Sequence, residues 1–361
     1  MFDNKNFDDH EKVVHINDRE SGLRAIIAIH STALGPAAGG CRLWSYPSAD
    51  AALDDALRLS RGMSYKNAVA GVPLGGGKGV ILGPVAAEKR SAAFRAFGDA
   101  VNALGGAYIT AEDVGVSVED MRAVASRTRF VSGLSAASGR AGGDPSPYTA
   151  RGVRRGIEAV ARHALGRPDL EGLHVAVQGL GNVGGNLCRE LAARGARLWV
   201  ADIDPARVAR ICDLHGATPA GVDEILYADV DLVAPCALGG AITEEVARAL
   251  RARAVAGAAN NQLATPLAGD ALFARGIAYA PDYVINAGGI IVAAAEYFGD
   301  NSVPQVEAAV DRIYDRVLDI LKTSAAFERP CHVIADQMAQ DIISRASGRS
   351  KARRSRVPLT A

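Results

Sequence analysis

The stretch "LHVAVQGLGNVGG", residues 173–185, runs an apolar segment directly into Gly179, Gly181 and Gly184. A G-x-G-x-x-G pattern alone is weak evidence in a chain with 39 glycines, and context is what makes it constraining. An apolar strand precedes it and the helical pattern "NLCRELAARG" follows. A second apolar run, "RLWVAD", then ends on Asp202, 18 residues beyond Gly184. In such a unit the first glycine permits a tight turn and the second lets backbone approach a pyrophosphate. The third allows close helix–strand packing. The first helical residues, Asn182 and Val183, then face the negative charge with their amides. Asp202 is placed to accept from a ribose hydroxyl and to repel a 2′-phosphate, so NAD is expected over NADP. Arg207 argues the other way unless it is a solvated helix cation, and Asp202 itself has an alternative as a strand-end cap.

Strand and helix keep alternating on both sides of this unit, through "VDLVAPCAL", "TEEVARALRAR" and "AVAGAAN". Continuous apolar strands between amphipathic helices imply a parallel sheet covered on both faces. The fold class expected is α/β with two domains. Residues 138–325 form a doubly wound, Rossmann-type dinucleotide-binding domain. Residues 1–137, completed by a C-terminal helix at 326–361, form an α/β oligomerisation and substrate domain. In that first part "VVHI" and "LRAIIAIHST" flank the turn "ESG" as a hairpin, with "GCRLW" as a third strand. A helix capped by Ser48 runs toward Tyr65 and Lys66, and "GVIL" is a short strand after a glycine loop. The glycine- and serine-rich segment at 132–147 reads as a linker or hinge. Val306, Val310, Ile313, Val317 and Ile320 form a helical stripe, expected to pack across domains or between subunits.

Composition excludes several classes. Lys+Arg and Asp+Glu number 40 each, so no overall charge draws the chain to nucleic acid or a membrane. The longest apolar run, near "GGIIVAAAEYFG", is too short to span a bilayer, and the acidic start does not read as a signal peptide. Five widely spaced cysteines without a C-x-x-C pair suggest a reduced cytoplasmic protein with neither disulfides nor a zinc site. The basic run at 347–356 reads as a solvated tail. The seven histidines lie outside every motif and are expected to be structural, so no metal site is assigned.

The segment "GVPLGGGKGV", residues 71–80, looks at first like a second phosphate cradle. A P-loop requires G-x-x-x-x-G-K-[ST]. Val72 stands five places before Gly77, and Gly79 rather than a hydroxyl residue follows Lys78. Phosphate fails at both ends, and Lys78 needs another purpose.

The blocks "GPAAGGCR", "RGMSYKNAVAGVPLGGGKGVI", "YITAEDVG", "DPSPYTARGV", "VAVQGLGNVGGNL", "APCALGG", "GAANNQL" and "APDYVINAGGII" occur in order. Together they resemble the glutamate/leucine/phenylalanine/valine dehydrogenase family over residues 10 to 345. The resemblance implies reversible NAD(P)-dependent oxidative deamination of an amino acid to a 2-oxo acid and ammonium. It makes Lys78 catalytic, Asp113 the proton donor and acceptor for the amine, and Lys66 the partner of the substrate carboxylate. Gly39 and Gly40 would offer backbone to the amine. Thr149 and Asn260 would lie near the nicotinamide carboxamide, with Asn286 orienting the ring, while Asn261 is equally readable as a turn residue. The chemistry fits these types. A free lysine, with a pKa of about 10.4, is too basic to act as a base near neutrality. Burial and a second cation within reach would lower the pKa of Lys78, and the glycines would leave room for substrate. Closure over a cleft between the domains, with 132–147 as one hinge, would exclude water.

Glutamate-specific members carry a lysine where this chain has Ala38, so an acidic side chain would go unpaired. The pocket implied by resemblance is Ala38, Ala111, Ile290 and Ala293. A branched-chain substrate (leucine, valine or isoleucine) is expected, with phenylalanine or tryptophan as the alternative because the alanines leave volume. Val292 departs from the polar residue common in leucine-type members. Two other classes are weighed. A non-catalytic NAD-binding regulatory protein would have no use for Lys66, Lys78 and Asp113 together. A 2-hydroxy-acid dehydrogenase would use a histidine as acid–base, and none lies in these blocks. The expected partners are the amino acid or 2-oxo acid, ammonium and further copies of the chain.

Overall fold

The computed structural model describes residues 1–134, 140–300 and 302–354. Residues 135–139 of the expected hinge, and 355–361 with part of the basic run, lie outside the described residues. The chain divides into two compact units. The first comprises Met1–Gly143, Ala293–Asn301 and Ala339–Ala361; the second comprises Asp144–Val292 and Ser302–Met338. The boundary thus falls at 143/144, and 293–301 belong to the first unit, which boundaries drawn at 137 and 326 do not include.

The first unit is built on a five-stranded mixed sheet. Its elements are β1 (Lys12–Asp18), β2 (Leu23–Ser31), β3 (Ala37–Trp44), α1 (Ala49–Ala70), β4 (Gly75–Leu82), α2 (Arg90–Ala103), β5 (Tyr108–Glu112) and α3 (Val118–Ala125). Strand order is β1-β2-β4-β3-β5. β1 and β2 form the antiparallel hairpin, while β3 is parallel to both β4 and β5. Ser48 caps α1 by accepting from Ala51 N, and Gly71 ends it in the left-handed region. β2 is buried along nearly its whole length because both sheet faces are covered. Ile26 and Ala28 pack with Leu53 and Leu57 of α1, whereas Ile27 and Ile29 pack with Phe94 and Phe97 of α2.

The lysine-bearing segment is not a loop. β4 begins at Gly75 and runs through the three glycines and Lys78 in the middle of the sheet. A Cβ on Gly76 would lie 2.1 Å from the backbone nitrogen and Oγ of Ser64 in α1, and one on Gly77 would lie 2.7 Å from the Tyr108 ring. The glycines therefore let a helix and an aromatic ring press directly onto the strand. The space is filled by protein, so the reading of these glycines as an open floor for substrate is corrected.

The second unit contains α4 (Ser146–Ala164), β6 (His174–Gln178), α5 (Asn182–Ala192), β7 (Arg197–Ala201), α6 (Pro205–His215) and β8 (Thr218–Pro219). It continues with β9 (Leu232–Pro235), α7 (Glu244–Ala249), β10 (Ala254–Val255), α8 (Pro266–Ala274), β11 (Ala278–Tyr279) and α9 (Asp282–Ile285). α10 (Gly288–Phe298) passes from this unit into the first. α11 (Val303–Asp311) and α12 (Ile313–Phe327) belong to the second, and α13 (Cys331–Arg354) returns the chain to the first. All strand pairs in the six-stranded sheet are parallel, in the order β11-β10-β9-β6-β7-β8. The order reverses between β6 and β9, the position at which doubly wound sheets open a crevice. The stripe from Val306 to Ile320 is buried inside this unit rather than between subunits. It is interrupted at Arg312 between α11 and α12, and it rests on α4, where a Cβ on Gly152 would come within 2.6 Å of Ile313 Cδ1.

Candidate active site

Three neighbouring strands of the first unit, in the order β4-β3-β5, bring Lys78, Arg42 and Asp113 together. Lys78 is buried in β4, Arg42 lies in β3, and Asp113 follows β5 directly. Lys78 Nζ donates to Asp113 Oδ2 at 2.5 Å, and Arg42 Nε donates to the same oxygen at 3.1 Å. Burial pushes the Lys78 pKa down, opposed by Asp113 and assisted by Arg42. For Asp113, burial acts to raise the pKa, but Lys78 and Arg42 outweigh it and hold the carboxyl below its usual range. The second cation beside Lys78 is therefore Arg42, which sequence reasoning did not single out.

Gly40 makes the cluster sterically possible, since a Cβ there would lie 2.7 Å from Asp113 Cβ. A Cβ on Gly39 would lie 1.8 Å from Gly77 O, and Gly39 O accepts from Tyr108 OH at 2.7 Å. Lys66 is half-buried on α1, one turn beyond Met63, whose Cγ is 3.1 Å from that same Gly39 position. The next residue, Asn67, was also missed. It is fully buried and donates to Gly75 O at 2.6 Å, tying the Lys66 turn of α1 to the start of β4. A polar residue amid "KNAVA" on the buried face was the available signal. Ala38 is buried, and Ala111 is half-buried at the end of β5. Ala293 is half-buried in the first unit, its carbonyl accepting from Ser132 Oγ at 3.2 Å. Ile290 belongs to the second unit, near the start of α10.

The other sequence-derived residues gather in the second unit. Gly179 follows β6 with φ +93°, a conformation that favours glycine. A Cβ on Gly184 would strike Gly179 O at 1.9 Å, so this glycine is what lets α5 start against the turn. Gly181 caps α5 and is open: the nearest atom to a Cβ there is Arg207 Nη1, at 3.9 Å. A cavity of about 500 Å³ adjoins it, lined by Leu180, Gly181, Asn182, Arg189, Arg207 and Arg210 among others. Asp202 Oδ2 accepts from Leu180 N at 2.6 Å and Oδ1 from Asp204 N at 2.9 Å. Burial alone would raise its pKa, but these amides and Arg207 hold it low and ionised. Asp202 is thus a brace for the glycine turn that carries a negative charge, with its side chain 7% exposed. Arg207, largely exposed, pairs with Asp204 at 3.3 Å and more loosely with Asp202 at 3.9 Å.

Asn286 Nδ2 donates to Asn260 Oδ1 at 2.9 Å and to Ala258 O at 3.1 Å, so the two asparagines form one fixed pair. Thr149, in the first turn of α4, donates to Pro145 O at 3.1 Å, and its Oγ1 is 3.2 Å from where a Cβ on Gly289 would lie. Asn261 has φ +52°, the turn conformation its alternative reading requires. A glycine turn, the backbone amides of a helix start and an ionised carboxylate as hydrogen-bond acceptor are what a dinucleotide needs, and these residues fit one. If Asp202 discriminates between cofactors by charge, Asp202→Asn raises the NADP/NAD ratio of kcat/KM on the order of tenfold. An unchanged ratio in steady-state kinetics would leave it as a structural brace only.

All five cysteines are free. Among the described residues no group of three or more His, Cys, Asp or Glu is placed to hold a metal, and no helix is long and apolar enough to cross a membrane.

A mixed sheet carrying a buried lysine paired with a half-buried aspartate, joined to a doubly wound parallel sheet with a glycine turn at its switch point, defines a two-unit α/β dehydrogenase. The family model described as Glu/Leu/Phe/Val dehydrogenase, dimerisation domain, matches residues 10–130, and that described as Glutamate/Leucine/Phenylalanine/Valine dehydrogenase matches residues 205–346. A leucine dehydrogenase of Bacillus subtilis is 49% identical over 337 residues, covering 93% of this chain and 92% of that one. A valine dehydrogenase of Streptomyces coelicolor is 44% identical, covering 94% of each. The crystal structure of an L-tryptophan dehydrogenase from Nostoc punctiforme superposes with a TM-score of 0.84 at 41% identity, covering 93% of this chain and 96% of that one. The chain belongs to the glutamate/leucine/phenylalanine/valine dehydrogenase family. It is an amino-acid dehydrogenase, an oxidoreductase acting on a CH–NH2 group.

Proposed function

We propose that the protein catalyses the reversible reaction of an apolar, branched-chain L-amino acid with NAD⁺ and water to give the 2-oxo acid, ammonium, NADH and a proton. The observation that carries this reading is the ion pair between buried Lys78 and half-buried Asp113, in a chain whose position 38 is an alanine. We assign substrate binding to the first unit and NAD to the second, through the Gly179–Gly184 turn, Asn182, Val183, Asp202, Thr149, Asn260 and Asn286. Bound NAD⁺ supplies the hydride acceptor.

The residues of the first unit do the rest. Lys66 holds the substrate carboxylate, and Gly39 and Gly40 offer backbone to the amine. Asp113, ionised, takes a proton from the substrate ammonium and returns it to the departing amine. Once hydride loss has left an iminium on the substrate, neutral Lys78 takes a proton from the attacking water. The resulting lysinium then polarises the new carbonyl. Burial makes the neutral form of Lys78 accessible, and the 2.5 Å separation lets a proton pass to Asp113 with little movement.

Ala38, Ala111, Ala293 and Ile290 are proposed by resemblance as the lining of an apolar pocket, with no lysine at position 38 to meet an acidic side chain. The same small side chains support a second reading, an aromatic substrate. Ala38→Lys is expected to lower kcat/KM for leucine by about 10- to 200-fold and to raise it for glutamate. Unchanged kinetics with both would remove Ala38 from the pocket. A homo-oligomer formed through the first unit is proposed from the dimerisation domain matched there. The free cysteines support a reducing cytoplasm. The test of the reaction class is NADH oxidation by a 2-oxo acid. It should require ammonium, and turnover without it would indicate reduction to a 2-hydroxy acid.

A further inference from the structure

We infer that Arg42 is a positioning residue that aims the Asp113 carboxylate at Lys78 and, as the second positive charge beside Lys78, sets the pH at which the pair becomes active. This rests on the reading of Lys78 and Asp113 as the acid–base pair. Arg42 spends its planar guanidinium on two carboxylates: Nε donates to Asp113 Oδ2 at 3.1 Å and Nη1 to Asp55 Oδ2 at 3.0 Å. Asp55 is itself fixed, accepting from Tyr46 OH at 2.6 Å on the same oxygen and from Arg58 at 2.7 Å on the other. A chain of contacts therefore runs from Tyr46 through Asp55 and Arg42 to Asp113 and Lys78.

Strand register explains the convergence. Arg42 stands opposite Val80 in β4, two residues from Lys78, and it follows Cys41, which stands opposite Glu112 at the end of β5. The ionisable groups facing the pair are Cys41 and Arg42 from β3 and Tyr108 from β5, whose phenol burial keeps neutral near pH 7. Asp55 and Arg58 from α1 and Tyr46 beyond β3 reach it through Arg42, and Asp120 of α3 acts on Cys41. Burial raises the Cys41 thiol and the Tyr46 phenol, leaving both neutral near pH 7. Arg42 remains charged, since Asp113 and Asp55 together outweigh its burial. Deleting its charge removes a like charge from Lys78, which then keeps its proton to higher pH. Lysine in its place keeps the charge but cannot span both carboxylates, because the fork is lost.

The test is the pH profile of kcat/KM for leucine with NAD, measured for the full-length wild type, Arg42→Gln and Arg42→Lys, with NADH binding as a check on the second unit. Arg42→Gln should lower kcat about 10- to 100-fold at neutral pH with little change in KM, and should move the ascending limb to higher pH. Arg42→Lys should lower kcat while the limb stays at the wild-type pH. A purely structural arginine would lower kcat without moving the limb in either variant, and that outcome overturns the inference. Should Arg42→Gln fail to fold, Arg42→Met, which also removes the charge, is measured in its place: an ascending limb moved to higher pH supports the inference, and an unmoved limb overturns it. Near-normal turnover in Lys78→Ala would instead sink the underlying reading, so the two failures are distinguishable.

Discussion

Lys78→Ala should reduce kcat by about 10²–10⁴, the contribution of a positioned acid–base group, while NADH still binds. The reasoning is local. Lys78 Nζ is one of two cations on Asp113 Oδ2, and Arg42 stays to pair that oxygen when the lysine is gone. Asp113 is therefore not left as an unpaired charge, and a thermal midpoint near that of the wild type should accompany the lost turnover. The glycine turn and Asp202 lie in the other unit, so cofactor titration by fluorescence should be unaffected. Turnover within a few-fold of wild type would remove Lys78 from the chemistry. Loss of turnover together with a large fall in thermal midpoint would show that the pair serves mainly to hold the fold.

Gly76→Val should be nearly as damaging, through structure rather than chemistry. The first added carbon would lie 2.1 Å from Ser64 N and Oγ and 2.5 Å from Ser60 O, all on α1. Backbone atoms cannot rotate away, so the helix must shift. Overpacking of this kind costs about 1–3 kcal/mol or more. The shift also bears on function, because Lys66 is two residues beyond Ser64 on that helix and Lys78 is two beyond Gly76 on the strand. Thermal unfolding should show the lower midpoint, and surviving folded protein should show a raised KM for the amino acid. Stability and kinetics both unchanged would mean that the close packing of α1 on β4 is wrong.

What sequence could reach depended on how local each signal was. The glycine turn and Asp202 were legible because spacing, strand and helix period all fall within about 30 residues, a single βαβ unit. Lys78, Asp113 and Lys66 were assigned through family resemblance. Nothing in their spacing indicates that a residue on β4 meets one 35 positions later, because that depends on strand order. Arg42 was missed for the same reason, since its contact with Asp113 spans 71 positions through parallel pairing of β3 and β5. "GGGK" was misread as a loop because glycine normally marks turns. Here a helix and a tyrosine ring occupy the places side chains would take, a tertiary fact that local propensity does not carry. The apolar stripe at 306–320 was seen, but its partner was not. Gly152 and Gly156 on α4 are the residues that let it pack within its own unit.

The most direct measurement of the central claim is steady-state kcat/KM for leucine, valine, phenylalanine, tryptophan and glutamate, each with NAD and with NADP. The proposed apolar pocket at Ala38 and the ionised Asp202 predict the highest value for a branched-chain amino acid with NAD, and glutamate at the bottom of the series. Glutamate as the best substrate, or NADP as the better cofactor, would contradict the account.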